Sequence, residues 1–299
     1  TPRLHRIHHR QIERERWPDF SSFDRERYEL GLRREAARHW GLRSVAEHGS
    51  ILQFSAVTHA LAALPEGGDV IVIDDYGTKP AQDTLRDITD PRLRILCNAG
   101  LAGPASARNC GVAHSRADVI LFADDDDLIR PDYPHHVLDL AAQARYGFCA
   151  TDSFTQEPSF VAPFTRSLVH DIASLPFKRQ MGGLGCGFWV YLDDFIAVCG
   201  INPALRINED TDFSIKLRAA GLKGFFETSA GVMIRQHSGA PANADITSVT
   251  KRTTAFDRAG YFKTIITDHA DFLQRDPQAK HYMHKRLVKM YAKSGQLRA

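Results

Sequence analysis

Three acidic sites hold the residues of this chain whose types and spacing could do chemistry. The densest is Asp124-Asp125-Asp126-Asp127, in the string ILFADDDDLIRP. Adjacent carboxylates repel and raise one another's pKa, and the arrangement becomes favourable when a divalent cation with oxygen ligands, such as Mg²⁺ or Mn²⁺, neutralises them. A solvated acidic loop is the alternative for any such run. A calcium loop of the EF-hand type is excluded, because its sixth position would be Ile129 rather than Gly and its twelfth His135 rather than Glu. The second site, Asp74-Asp75, directly follows the apolar run DVIVI. A carboxylate there can accept a hydrogen bond from a nucleobase N–H or a ribose hydroxyl, or simply cap the next turn. The third, Glu209-Asp210, precedes TDFSIKLRAAG at the start of a helix, where the macrodipole favours the ionised state a general base needs. A helix-capping role for Asp210 or Asp212 is the ordinary alternative. His237 in IRQHSG is a metal or phosphate ligand or a structural histidine.

Two glycine-bearing stretches could bring backbone close to a ligand. In NAGLAGPASARNCG, Gly100, Gly103 and Pro104 lead into a helix carrying Arg108 and Asn109. Such an entry presents free N–H groups to anions, and Arg108 can add a bidentate contact. It matches neither a Walker loop nor the dinucleotide fingerprint. Gly182, Gly183, Gly185 and Gly187 surround Cys186 and run into Trp189. This suits close approach to a ligand, or a packed edge strand with bulges.

These residues need elements to position them. From about Arg43, short apolar runs alternate with amphipathic stretches, which predicts alternating strands and helices and a largely parallel sheet. Helices are expected over Ile51–Leu64, Ala81–Ile88, Ala105–His114, Pro134–Ala144 and Asp210–Ala220, and strands over Val70–Ile73, Arg94–Leu96, Val119–Phe122, Phe148–Thr155 and Gly224–Phe226. The acidic run then sits on the loop leaving a strand's C-terminal end, where open α/β sheets bind ligands, and Pro131 prevents direct helical continuation. Residues 1–42 read as a polar helical appendage, with Asp24–Trp40 its helix-forming part. Thr250–Phe272 and Lys280–Ala292 read as a helical, basic tail.

With 299 residues, 43% hydrophobic and 25% charged, the composition is that of a globular protein with ample length for a core. No apolar run approaches the roughly 18 residues of a membrane span, and a net charge of +2 gives no reason to expect nucleic acid as a partner. Both ends are basic, however. Arg3, Arg6, Arg10, Arg14 and Arg16 crowd the start, and Lys280 to Arg298 contains no acidic residue. Five cysteines, without short metal-site spacing, fit a reducing compartment. No secretory apolar segment follows the basic start, and an opening at Thr1 fits a trimmed terminus.

Together the motifs resemble family 2 glycosyltransferases of the GT-A fold. VIVIDDYGT is similar to that family's strand followed by Asp-Asp-Gly-Ser. NAGLAGPASARNCGVAHSRADVILFADDDDLIRP resembles its Asn-x-Gly, Ala-Arg-Asn-x-Gly and Asp-x-Asp-Asp segments, and INEDTDFSIKLRAAG its late Glu-Asp helix. The resemblance covers about Arg43 to Gly239. It implies an α/β GT-A fold, a Rossmann-like mostly parallel sheet flanked by helices. A catalytic domain over 43–240 would divide into a nucleotide-binding half, 43–150, and an acceptor-binding half, 151–240. Residues 1–42 and 241–299 would be helical extensions.

By the same resemblance the chain is a metal-dependent inverting glycosyltransferase, hexosyltransferase-like, moving one sugar from a nucleoside-diphosphate sugar, a UDP-sugar foremost, to a glycan or lipid-linked acceptor in surface glycan synthesis. Asp75, with Asp74 beside it, would contact the base, and Arg108, Asp124 and Asp125 would also face the donor. Asp126, Asp124 and His237 would hold Mn²⁺ or Mg²⁺, Asp210 would be the base, and Glu209, Gly185 and Trp189 would shape the acceptor side. The family's Pro-x-Tyr-Asn strand is replaced by RSVAEHGS, where Glu47 would stand in. The Gln-x-x-Arg-Trp motif of processive synthases is absent, which favours single transfer. A cytoplasmic protein is expected, peripheral at the inner face of the membrane through its basic ends. The competing readings are a sugar nucleotidyltransferase and a non-catalytic scaffold of the same fold.

Overall fold

In a computed structural model of the chain, residues 55–77, 79–156, 158, 160–236 and 253–295 are described. The expected appendage at 1–42, Glu47 and His237 lie outside the described residues. A helix over 55–63 (α1) leads to β1 (Val70–Asp74), α2 (Ala81–Leu85), β2 (Leu93–Cys97), α3 (Pro104–Ala113) and β3 (Val119–Ala123), and past the acidic turn to β4 (Leu128–Ile129) and α4 (Tyr133–Ala141). The expected alternation is therefore present. Entry to α3 shows its cause: Pro104 occupies the first turn, where a missing N–H is harmless, and Gly103 before it has φ 138°, which L side chains rarely adopt. The second half contains β5 (Tyr146–Phe154), β6 (Val169–Asp171), β7 (Cys186–Tyr191), α5 (Leu192–Ala197), α6 (Glu209–Ala219) and β8 (Gly224–Arg235). It ends in α7 (Ala255–Asp268), α8 (Ala270–Arg275) and α9 (Pro277–Lys293).

β1 and β2 pair in parallel, and six further strands form a sheet in the order β3-β7-β5-β8-β4 with β6 also on β8. The α/β class holds, with a mixed sheet: β5–β8 is parallel, whereas β3–β7, β5–β7, β4–β8 and β6–β8 are antiparallel. Parallel neighbours need a long crossover, which α2 supplies between β1 and β2. The glycine-rich stretch becomes β7, an interior strand rather than an edge. β8 runs far beyond the expected Gly224–Phe226, through Glu227, Thr228 and Ser229, where its apolar pattern is interrupted, and its pairing with β5 shifts register around Ala150.

Strand alternation sorts side chains between two cores. Tyr146, Phe148, Phe188 and Val190 join Phe122, Phe195 and Phe213 in one cluster, while Cys149 and Trp189 join Tyr133, Val137, Leu140 and Val232 in the other. A third cluster unites the tail with the domain: Phe262, Ile265, Leu273, Met283 and Met290 pack on Phe177, Leu205 and Ile215. The helix expected over Thr250–Phe272 is interrupted at His269, whose φ −113° and ψ 25° end α7 and begin α8.

Gly147 lies where β5 meets both neighbours. A Cβ there would stand 2.6 Å from the carbonyl oxygen of Phe225 and 2.8 Å from the Trp189 ring. Backbone on a paired strand cannot yield, so Gly147→Ala is expected to cost about 1–3 kcal/mol, the range for overpacked cores. Denaturant unfolding checks this, and an unchanged midpoint would contradict it.

Candidate active site

The acidic turn has one buried member and three more accessible ones. Asp127 is buried and accepts from the Arg235 backbone N–H at 2.8 Å, while Arg235 Nε donates to the Asp126 carbonyl at 3.1 Å with its guanidinium over the Phe154 ring. Burial pushes the Asp127 carboxyl up to about 7, the Arg235 N–H opposing and the charges of Asp126 and Asp124 adding to the rise. Asp124 and Asp125 are exposed and Asp126 half-buried.

Arg108 draws two of the acidic sites together. From α3 its Nη2 donates to Asp124 Oδ1 at 2.7 Å and its Nη1 to Glu209 Oε1 at 3.4 Å. The α6 N-terminus thus meets the end of β3. Neither Asp210 nor Asp212 caps that helix: Asn208, in the left-handed region at φ 62°, is the cap residue. Asp210 Oδ1 instead accepts from Thr211 N–H at 2.6 Å and Thr211 Oγ1 at 3.3 Å. Burial raises the pKa of Asp210 against these bonds and the Arg108 charge. Burial and the Asp210 charge raise that of Glu209.

The end of β1 divides its two carboxylates. Asp75 accepts from Asn98 Nδ2 at 2.6 Å and from the Gly103 N–H at 2.7 Å, which ties it to the loop entering α3. Asp74 is turned the other way. Its oxygens accept from Gly77 N–H at 3.1 Å and Ala81 N–H at 2.8 Å, so it caps the turn into α2. Gly185 also changes place: a Cβ there would lie 2.2 Å from the Asp124 carboxylate, which puts this glycine behind the acidic turn. Trp189 cannot shape an acceptor surface, because from β7 it is fully buried in the core with Tyr133 and Val232.

Two residues of the site escaped sequence reasoning, and a third, Asn109, was named there without a role. Buried Asn98 donates to Asp75 and to the Leu101 carbonyl and accepts from Gly100 N–H and Ser106 Oγ, so it shapes the whole loop. Tyr76 donates its hydroxyl to the Gly100 carbonyl at 2.8 Å and leaves its ring 62% exposed beside that loop. Asn109 exchanges two bonds with the backbone of Ile201, at 2.7 and 3.0 Å, and so fixes the segment leading to α6. Their signal was position: an Asn before a glycine pair, an aromatic after an acidic pair, an Asn beside the one Arg of a helix.

The model of glycosyl transferase family 2 matches residues 55–196, which include Asp75, Arg108, the acidic turn and Gly185. Over that stretch the chain is similar to that family. It is 33% identical over 89 residues to the succinoglycan biosynthesis protein ExoO of Rhizobium meliloti (strain 1021), covering 30% of this chain and 26% of that one. ExoU of the same organism is 28% identical over 224 residues, covering 68% and 64%. The chain thus spans only part of the length of these relatives. Among solved structures, S. aureus TarS 1–349 in complex with UDP-GlcNAc superposes with a TM-score of 0.54 at 14% identity, covering 80% of this chain and 68% of that one. The fold is accordingly of the GT-A type. The family 2 match ends within α5, so α6 is joined to the site by geometry, through Arg108.

Asp127 gives this domain a pH signature. Its carboxyl titrates near 3.8 when unfolded and about 7 when folded, so between those values the folded state keeps a proton the unfolded chain has lost. Stability from this group therefore falls as pH rises from about 4 to 7. Asp127→Asn, which can still accept from Arg235, should flatten that decline and gain on the order of 2 kcal/mol relative to wild type at pH 7. Parallel stability curves across that range would refute the assignment.

Proposed function

We propose that the domain transfers one sugar from a nucleoside-diphosphate sugar, a UDP-sugar foremost, to an acceptor hydroxyl with inversion, in surface glycan synthesis. The observation that carries this is the convergence of Asp124, Arg108, Glu209 and Asp210 at the C-terminal end of β3. The names of ExoO and ExoU and the donor bound to TarS favour the substrate class.

Asp124 and Asp126 offer the hard oxygen donors that Mg²⁺ or Mn²⁺ prefers. Among the described residues no group of three or more His, Cys, Asp or Glu side chains is arranged around a metal position. Donor phosphate oxygens would complete the coordination, with His237 proposed as the remaining protein ligand. When bound, the ion neutralises the charge that grows on the departing diphosphate. Arg108 adds fixed positive charge at the same place. Asp75 holds the loop of Gly100 and Gly103 and retains lone pairs for a base N–H, and the exposed Tyr76 ring offers a face for stacking. Asp210 takes the acceptor proton as that oxygen attacks the anomeric carbon from the side opposite the leaving group. Its raised pKa brings it nearer the working pH, which improves a general base. Glu209, paired with Arg108, keeps the helix terminus against the donor side.

Two measurements test this reading. UDP with Mn²⁺ should raise the unfolding temperature, and Asp126→Ala should remove that rise. Asp210→Asn should keep the rise yet lower transfer by about 10²–10⁴-fold, the span of a lost general base. Turnover of a sugar 1-phosphate with a nucleoside triphosphate would favour a nucleotidyltransferase instead, and transfer unaffected by Asp210→Asn would remove the assigned base.

The acceptor is proposed to be a glycan or lipid-linked sugar met at the inner face of a membrane. No described helix is long and apolar enough to cross one. α9 buries Ala279, Met283 and Met290 and exposes His281, His284, Lys285, Val288, Lys289 and Lys293, with no acidic residue from Pro277 onward. Each such lysine near an anionic surface is worth about 1 kcal/mol. The protein should pellet with vesicles containing phosphatidylserine at low salt and be released at high salt, and Lys285→Glu with Lys289→Glu and Lys293→Glu should prevent pelleting. Absence from the pellet at low salt would overturn the attachment.

A further inference from the structure

A buried polar triad lies behind the helix that carries Asp210. Asp212, 1% exposed, accepts from His269 Nε2 at 2.7 Å, and Lys216 Nζ lies 3.2 Å from its other oxygen as an ion pair. Lys216 also donates to the Gly200 carbonyl at 2.9 Å, in the segment that Asn109 clamps from α3. His269 is largely buried and belongs to neither helix it joins, sitting at the break between α7 and α8. Burial would raise the Asp212 pKa, but the bonds from His269 and Lys216 outweigh it and hold the carboxyl below its ordinary value. The triad thus retains an ionised aspartate in the interior.

Residues two apart on an α-helix point about 200° from one another. Asp210 lies within reach of the Arg108 charge, and Asp212, about 200° round the helix from it, bonds His269 at the start of α8. Fixing Asp212 fixes the rotation of α6 about its axis. A second tether lies two turns on, where Arg218 bonds Gln180 and Asp276 and stacks over Phe272. Between them Ile215 is sealed in the core formed by α7, α8 and α9. The first turn of α6 is held on the site side by the Glu209–Arg108 pair alone among these tethers, and its cap residue Asn208 makes no side-chain bond to the helix.

We infer that His269 is a positioning residue for transfer: through Asp212 it sets the rotation of α6 and so aims Asp210 at the acceptor. This rests on Asp210 being the base, and it gives the C-terminal helices a part in the reaction although they lie outside the stretch matched by the family model.

The test compares His269→Ala with His269→Gln in the full chain, since Gln can present a neutral donor near the place of Nε2. Transfer kcat, donor KM, the unfolding shift caused by UDP with Mn²⁺, and the folded fraction are measured together. His269→Ala should lower kcat at least tenfold per folded molecule while donor KM and the UDP shift change less than twofold, and His269→Gln should recover most of the loss. Activity falling only in proportion to folded protein, or kcat unchanged, would overturn the proposal. Asp210→Asn separates the two failures. If that variant is inactive while His269→Ala turns over normally, positioning alone falls; if Asp210→Asn turns over normally, the assigned base falls first.

Discussion

The two-sided ion pair of Arg108 is the constraint on which the site depends. Asp124, Glu209 and Asp210 come from segments far apart in the chain, and each would repel the others if brought together unaided. A single guanidinium, with donors on both prongs and little freedom in α3, lets them share one corner of the fold. Because the arginine side chain and Glu209 are both mostly buried, the pair resists loss of either partner more than a surface bridge would, since a lone buried charge is costly. The fold answers by bracing α3 from every side. Gly103 and Pro104 set its start, Asn98 and Asp75 hold the loop before it, and Asn109 pins the chain that leads to α6.

The same logic explains why the first half of the molecule is regular and the second is not. β1, β2 and β3 need only carry loops to a common edge, and strand-helix alternation accomplishes that. The later elements must return a helix N-terminus to the edge from the opposite side. They do so with an interior strand, β7, preceded by Gly185, whose lack of a side chain lets Asp124 rest directly against it. They also use a long bulged strand, β8, whose last residue, Arg235, holds the acidic turn from below.

Most of the fold was legible because its signals are local. Apolar runs at Val70 and Val119 and the Gly103-Pro104 helix start each depend on a few neighbouring residues. Acidic residues could be found but not sorted. Asp74 and Asp75 are adjacent and chemically identical, yet one caps a turn and the other braces a loop, a difference decided by which N–H groups the backbone turns toward each. Trp189 was expected on the acceptor side and is core, since strand alternation assigned it to the inner face only once the neighbours of β7 were known. The role of His269 depends on Asp212, 57 residues away, and no local pattern records such a pairing.

That sorting also gives each of the four carboxylates in the row its own place. Asp127 is held inside by the Arg235 N–H and gives the turn its shape. Asp124 is turned toward Arg108 by the close approach of Gly185. Only with both ends fixed can Asp125 and Asp126 be presented outward in a constant geometry. The electrostatic cost of the run is then lowered on one side by the high pKa of Asp127, which keeps it largely protonated below neutrality, and on the other by the arginine.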